Sequence, residues 1–89
     1  MTLFEKIIAG EIPADIVFED EWCVAFRDIN TQAPTHVLIV PRRPVVNVAH
    51  ATSGDAELLG RVLLAAGEVA RQLGVEQGGY RLVFNNGAG

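Results

Sequence analysis

An α+β fold, an antiparallel sheet carrying one short N-terminal helix and one long amphipathic helix, is predicted by three features of the 89-residue sequence. Between residues 52 and 73 apolar side chains recur at three- and four-residue steps, the period of a helix with one face on a core. Short β-branched and aromatic runs stand between turn-forming residues at Asp15 to Glu19, Cys23 to Asp28, Thr35 to Val40 and Tyr80 to Asn85, as strands do. Only Asp20, Glu21 and Trp22 separate the first two runs, which suits a hairpin.

Each element has its own local reason. Thr2 and Glu5 form a capping box ahead of Phe4, Ile7 and Ile8, and Gly10 and Pro13 end the short helix they open. Trp22, near the hairpin tip, reads as a packing residue. The run Thr35 to Val40 (THVLIV) lies between Pro34 and Pro41, and proline bounds it because it cannot donate to a central ladder. In the long helix Leu59, Val62, Leu63, Ala66, Val69, Ala70 and Leu73 make the apolar stripe. Thr52 and Asp55 supply its cap, Glu57 and Arg61 an i, i+4 pair, and Gly74 a left-handed exit. Tyr80 to Asn85 (YRLVFN) is a fourth strand running into the turn signal Asn86-Gly87.

Size and charge exclude several classes. A chain this short makes one domain and buries roughly 63% of the surface its unfolded form exposes. Apolar side chains fill 49% of positions and glycine nine more, above the usual combined share of about 45–50%, so a partner subunit is expected. Eleven acids against seven Lys and Arg give a net charge of −4, the wrong sign for a nucleic-acid binder. Glu5, Glu11, Asp15, Glu19, Asp20 and Glu21 face Lys6 alone over residues 1–22, an acidic rim. No apolar run is long enough for a membrane span, and an acid stands where a signal peptide carries bases. A lone Cys23 offers neither a disulfide framework nor a zinc pair and suits a reducing cytoplasm.

The chemistry-bearing residues are few. His36 and His50 are the two histidines, in no metal-ligand spacing, and the glycines match neither a dinucleotide fingerprint nor a phosphate loop, so no metal or cofactor is expected. Period-two alternation puts His36 on the face of Leu38 and Val40, and Asn85 with Arg81 and Val83. Asp28, His36 and Asn85 would floor a polar site if the strand ends align. By chemistry alone His36 reads more readily as a hydrogen-bonded strand histidine than as a catalytic one.

The segment FEKIIAGEIPADIVFEDEWCVAFRDINTQAPTHVLIVPRR, Phe4 to Arg43, resembles the N-terminal half of the histidine-triad (HIT) family, Hint branch. The resemblance rests on IPA, the FED turn, F-x-DI and QAPTH followed by alternating apolar residues and proline, all in the family's order. The long helix and GYRLVFNNG extend it over essentially the whole chain. It implies a HIT-like fold, a single domain over residues 1–89, and a homodimer. The family's His-x-His-x-His strand, expected after the glycine-rich turn, does not occur in this sequence, so the resemblance implies a domain cut short at its C-terminal side.

By family, the activity is hydrolysis of purine nucleoside phosphoramidates or adenylates. The middle triad histidine attacks the α-phosphorus, and water resolves the nucleotidyl-histidine intermediate. That nucleophile is not among these residues, which leaves a non-catalytic nucleotide-binding or protein-interaction module as the alternative. Leu3, Phe4, Ile7, Ile12, Phe26 and Ile29 match the family's apolar slot for the base, though each taken singly reads equally as core. Asp28 matches the ribose ligand, against a turn-capping role. His36 matches the auxiliary histidine that orients the nucleophile, and Asn85 an asparagine beside the phosphate. Arg27, His50 and Cys23 match no functional position.

Overall fold

A computed structural model describes residues 3–28, 34–43, 45 and 47–86, with the backbone alone at 3 and 4. Thr2 of the expected capping box lies outside these. The elements are helix α1 (Leu3–Ile8), strands β1 (Ile16–Glu19), β2 (Cys23–Arg27) and β3 (Val37–Pro41), and helix α2 (Ala56–Gln72). The strands form an antiparallel sheet in the order β1-β2-β3, with β2 central. Helix α1 ends at Gly10, whose φ of 79° lets the Glu11 amide donate back to the Lys6 carbonyl.

The hairpin is held by Asp20, whose Oδ1 accepts from the backbone N–H of Trp22 at 2.7 Å and of Cys23 at 2.9 Å. Partial burial pushes this carboxyl up, but those N–H groups and nearby Arg42 outweigh it and bring it below its ordinary value of 3.8. A folded-state value below the unfolded one stabilises the fold above pH about 3.8, and that contribution disappears as the pH falls through the folded value. Asp20→Asn keeps the acceptor and loses the titration. The variant is therefore expected to lose stability less steeply than the parent as the pH falls below about 4, read from thermal melts; parallel curves would remove Asp20 from the acid limb.

Register sorts the sheet residues onto two faces. Val24 pairs with Val40 and Phe26 with Leu38, and these side chains pack with Ile7, Ile8, Ile12 and Ala14 on the α1 side. Cys23 and Ala25, fully buried, alternate onto the other face beneath α2. Burial pushes the Cys23 thiol up to about 11, with Asp20 adding to it, so the sulfur stays protonated and unreactive.

Helix α2 keeps most of the expected stripe, with Ala66, Val69 and Ala70 buried and Leu59, Val62 and Leu73 half-buried, and departs from it at two leucines. Leu58, Ala65, Ala66, Val69 and Ala70 are buried, whereas Leu63 is 48% exposed. Three of the buried residues are alanines, whose small side chains let helix and sheet approach closely, and such a fit selects the face where periodicity leaves a choice. The expected Glu57–Arg61 pair does not form: the Arg61 guanidinium lies 5.3 Å from the centroid of the Trp22 ring and ties the hairpin tip to α2. A bulge at Val17 leaves its carbonyl to accept from Gln72 Nε2 at 2.6 Å, which fastens the other end. Gly74, φ 73°, supplies the exit, with the Val75 amide donating to Ala70 O.

Ahead of α2, Ser53–Asp55 form a 3-10 turn closed by a Thr52–Asp55 capping box. The Thr52 N–H, followed by Arg43 Nη2 at 2.7 Å, holds the Asp55 carboxyl below its ordinary range. Thr52→Ala is expected to lower stability by about 1 kcal/mol, measured by urea denaturation; an unchanged midpoint would mean that Asp55 alone closes the turn.

The fourth strand expected at Tyr80 to Asn85 is not formed: among the described residues this segment joins no ladder. Tyr80, Leu82, Val83 and Phe84 are each about half exposed or more. β propensity measures fit to a paired, half-buried surface, and a run without such a surface gains nothing from extended residues. No helix among the described residues is long and apolar enough to cross a membrane.

Candidate functional site

The polar end of the α1-side face brings together two of the expected site residues. The β2–β3 ladder continues one step past its strands, with the Asp28 amide donating to His36 O at 3.0 Å. That step sets Asp28 opposite His36 in the register that pairs Phe26 with Leu38 and Val24 with Val40. His36 Nε2 lies 3.5 Å from Asp28 Oδ2, the two side chains 29% and 19% exposed. A carboxylate and an imidazole thus stand side by side, partly shielded, at the end of an apolar strip.

The apolar residues divide by burial. Ile7 and Phe26 are core, 7% and 4% exposed, packed on Val24, while Ile12 sits half-buried at the margin of the same cluster. Ile29 and the side chains of Leu3 and Phe4 lie outside the described residues. Asn85 is exposed within the unpaired segment; its neighbour Asn86 accepts from the Ala49 N–H at 3.0 Å and ties that segment to the loop before α2. The sequence made the Asp28–His36 contact conditional on aligned strand ends, and the β2–β3 register aligns them. The signal for the contact was the shared parity of Phe26 with Asp28 and of Leu38 with His36, which needed only the hairpin register to become a contact. Arg27 turns away to Asp15, 3.3 Å, and His50 to Asn47, 2.6 Å.

Chemically, the pair offers a hydrogen-bond acceptor for hydroxyls and an imidazole for a neighbouring anion or proton. Among the described residues no three His, Cys, Asp or Glu side chains cluster to hold a metal ion.

This arrangement of sheet, flanking helices and polar strand end defines the HIT fold class. A HIT family hydrolase from Clostridium thermocellum superposes with a TM-score of 0.92 at 44% identity, covering 96% of this chain and 74% of that one. A HIT family hydrolase from Legionella pneumophila gives 0.92 at 48% identity, covering 97% and 77%. The sequence profile of the HIT domain matches residues 9–89, and the chain belongs to the HIT family. A purine nucleoside phosphoramidase of Escherichia coli is 45% identical over 84 residues, 94% of this chain and 71% of that protein. An uncharacterised HIT-like protein of Synechocystis is 54% identical over 87 residues, covering 98% and 75%.

Proposed function

We propose that these residues form the nucleoside-binding part of a HIT-type hydrolase whose substrates are purine nucleoside phosphoramidates or adenylates. The observation that carries the proposal is the Asp28–His36 pair, 3.5 Å apart at the end of the apolar strip. A purine would lie at the margin of the strip, against Ile12, with Ile7 and Phe26 backing it from the core and Leu3, Phe4 and Ile29 completing the slot. Asp28 then accepts from the ribose hydroxyls, His36 stands on the phosphate side as the auxiliary histidine, and Asn85 lies beside the phosphate. The likeness to the E. coli phosphoramidase supports this substrate class.

Isothermal titration with AMP tests the reading. Saturable binding of one nucleotide per chain is expected, and no binding at millimolar AMP overturns it. Cytoplasmic residence is part of the proposal, because a lone buried thiol suits a reducing compartment.

The proposal includes a homodimer. Leu63 and Leu64 on α2, with Tyr80, Leu82, Val83 and Phe84, expose large apolar side chains, more than a small monomer sheds at no cost in solubility. Light scattering is expected to report about twice the 9.6 kDa chain mass, and Leu64→Glu with Val83→Glu to return the protein toward monomer. A parent that is monomeric at micromolar concentration rules the dimer out.

A further inference from the structure

We infer that His36 is a positioning residue for the Asp28 carboxylate, and through it sets the preference of the site for a nucleoside that carries ribose hydroxyls. The inference deepens the proposed function and rests on its reading of Asp28 as the ribose acceptor.

Asp28 follows the last residue of β2, Arg27, and its backbone is anchored to β3's approach by the ladder step to His36. An aspartate side chain has two torsions to settle, and each contact to its carboxylate narrows the directions its oxygens present. His36 is the cross-strand neighbour that meets it: the Asp28 amide is held by His36 O at 3.0 Å, and His36 Nε2 faces Oδ2 at 3.5 Å. Backbone and side chain of one residue therefore address the same aspartate. With Oδ2 turned toward the imidazole, this contact helps to set the plane of the carboxylate and with it the direction of Oδ1. Pre-setting an acceptor in this way lowers the ordering cost that a bound hydroxyl pair otherwise meets. The imidazole is itself placed by Leu38 and Val40, which share its strand face and pack into the α1-side core.

This role differs from orienting a catalytic nucleophile, because it acts on binding and on one part of the ligand. The readout is the ratio of affinities for AMP and for 2′,3′-dideoxy-AMP, which differ only in the two hydroxyls. Both ligands are titrated against the same protein, so a variant that merely lowers stability leaves the ratio unchanged. The parent is expected to prefer AMP. His36→Ala is expected to reduce that preference by roughly 3- to 10-fold, the span of about one net hydrogen bond. His36→Gln, whose side-chain amide reaches about as far as Nε2, is expected to regain part of it.

An unchanged preference in His36→Ala overturns the inference and leaves the ribose reading of Asp28 standing. A His36→Gln preference no higher than that of His36→Ala overturns the donor role assigned to Nε2. A parent that binds AMP and 2′,3′-dideoxy-AMP equally defeats the ribose reading itself, and the inference with it.

Discussion

The 89 residues alone are expected to leave adenosine 5′-phosphoramidate intact, and the same residues joined to a following strand of His-x-His-x-His pattern to release AMP from it. Displacement at phosphorus needs an imidazole aligned opposite the leaving amine. Of the two histidines in the sequence, His50 is exposed beside Asn47, and His36 is paired with Asp28 at the strand end. Holding an attacking group in line is worth as much as about 7–11 kcal/mol of barrier, which corresponds to roughly 10⁵- to 10⁸-fold in rate. A misplaced histidine does not recover that. Turnover is followed by release of ammonia or by phosphorus NMR on both proteins at equal concentration. Equal rates would place the nucleophile among the 89 residues and defeat the assignment of Asp28 and His36 to the nucleoside end of the site.

Asp28→Asn is expected to weaken AMP and GMP binding by about 1–3 kcal/mol, roughly 5- to 150-fold, the range for hydrogen bonds to a charged acceptor. Asparagine keeps the shape of the side chain and replaces one acceptor oxygen with a donor, so one of two ribose hydroxyls meets an NH₂ group instead of a carboxylate oxygen. Folding is not expected to suffer, because the anchoring contact of Asp28 with the sheet is its backbone N–H on His36 O, which the substitution keeps. Calorimetric titration beside a thermal melt separates the two effects. Equal affinities for the two proteins would make Asp28 a turn cap with no part in ribose recognition.

Much of the fold was legible because its signals are local. The β1–β2 hairpin follows from two β-branched runs around Asp20, whose carboxylate closes the turn within three residues. The 3-10 turn that leads into α2 follows from Thr52 and Asp55, and the exit of α2 from Gly74. Each decision lies within a few bonds of the residues that make it, so sequence is enough. The family could be seen for a related reason, since its motifs are short and contiguous and need no partner to be read.

What failed depended on partners that are distant in sequence. Tyr80 to Asn85 has the composition of a strand and forms none, because a strand is a relation between two backbones and composition describes one. Leu63, expected in the core, is exposed and Leu58 is buried, because a 3.6-residue period permits neighbouring faces and only packing on the sheet chooses between them. Arg61 left Glu57 for the Trp22 ring, a contact across 39 positions.

The candidate site divides along the same line. The sequence by itself supplied the residues that the proposed reading assigns to a nucleoside, and alternation determined that His36 shares a face with Leu38 and Val40. Only the tertiary structure decided that Asp28 and His36 meet, since that depends on the β2–β3 register, and a shift of one residue would send one of them to the opposite face. Burial likewise decided that Ile7 and Phe26 are core while Ile12 stays at the margin. Side-chain chemistry is a property of the residue; which groups stand within reach of one another is set by how the whole sheet packs, and packing is decided by every residue that shares the core.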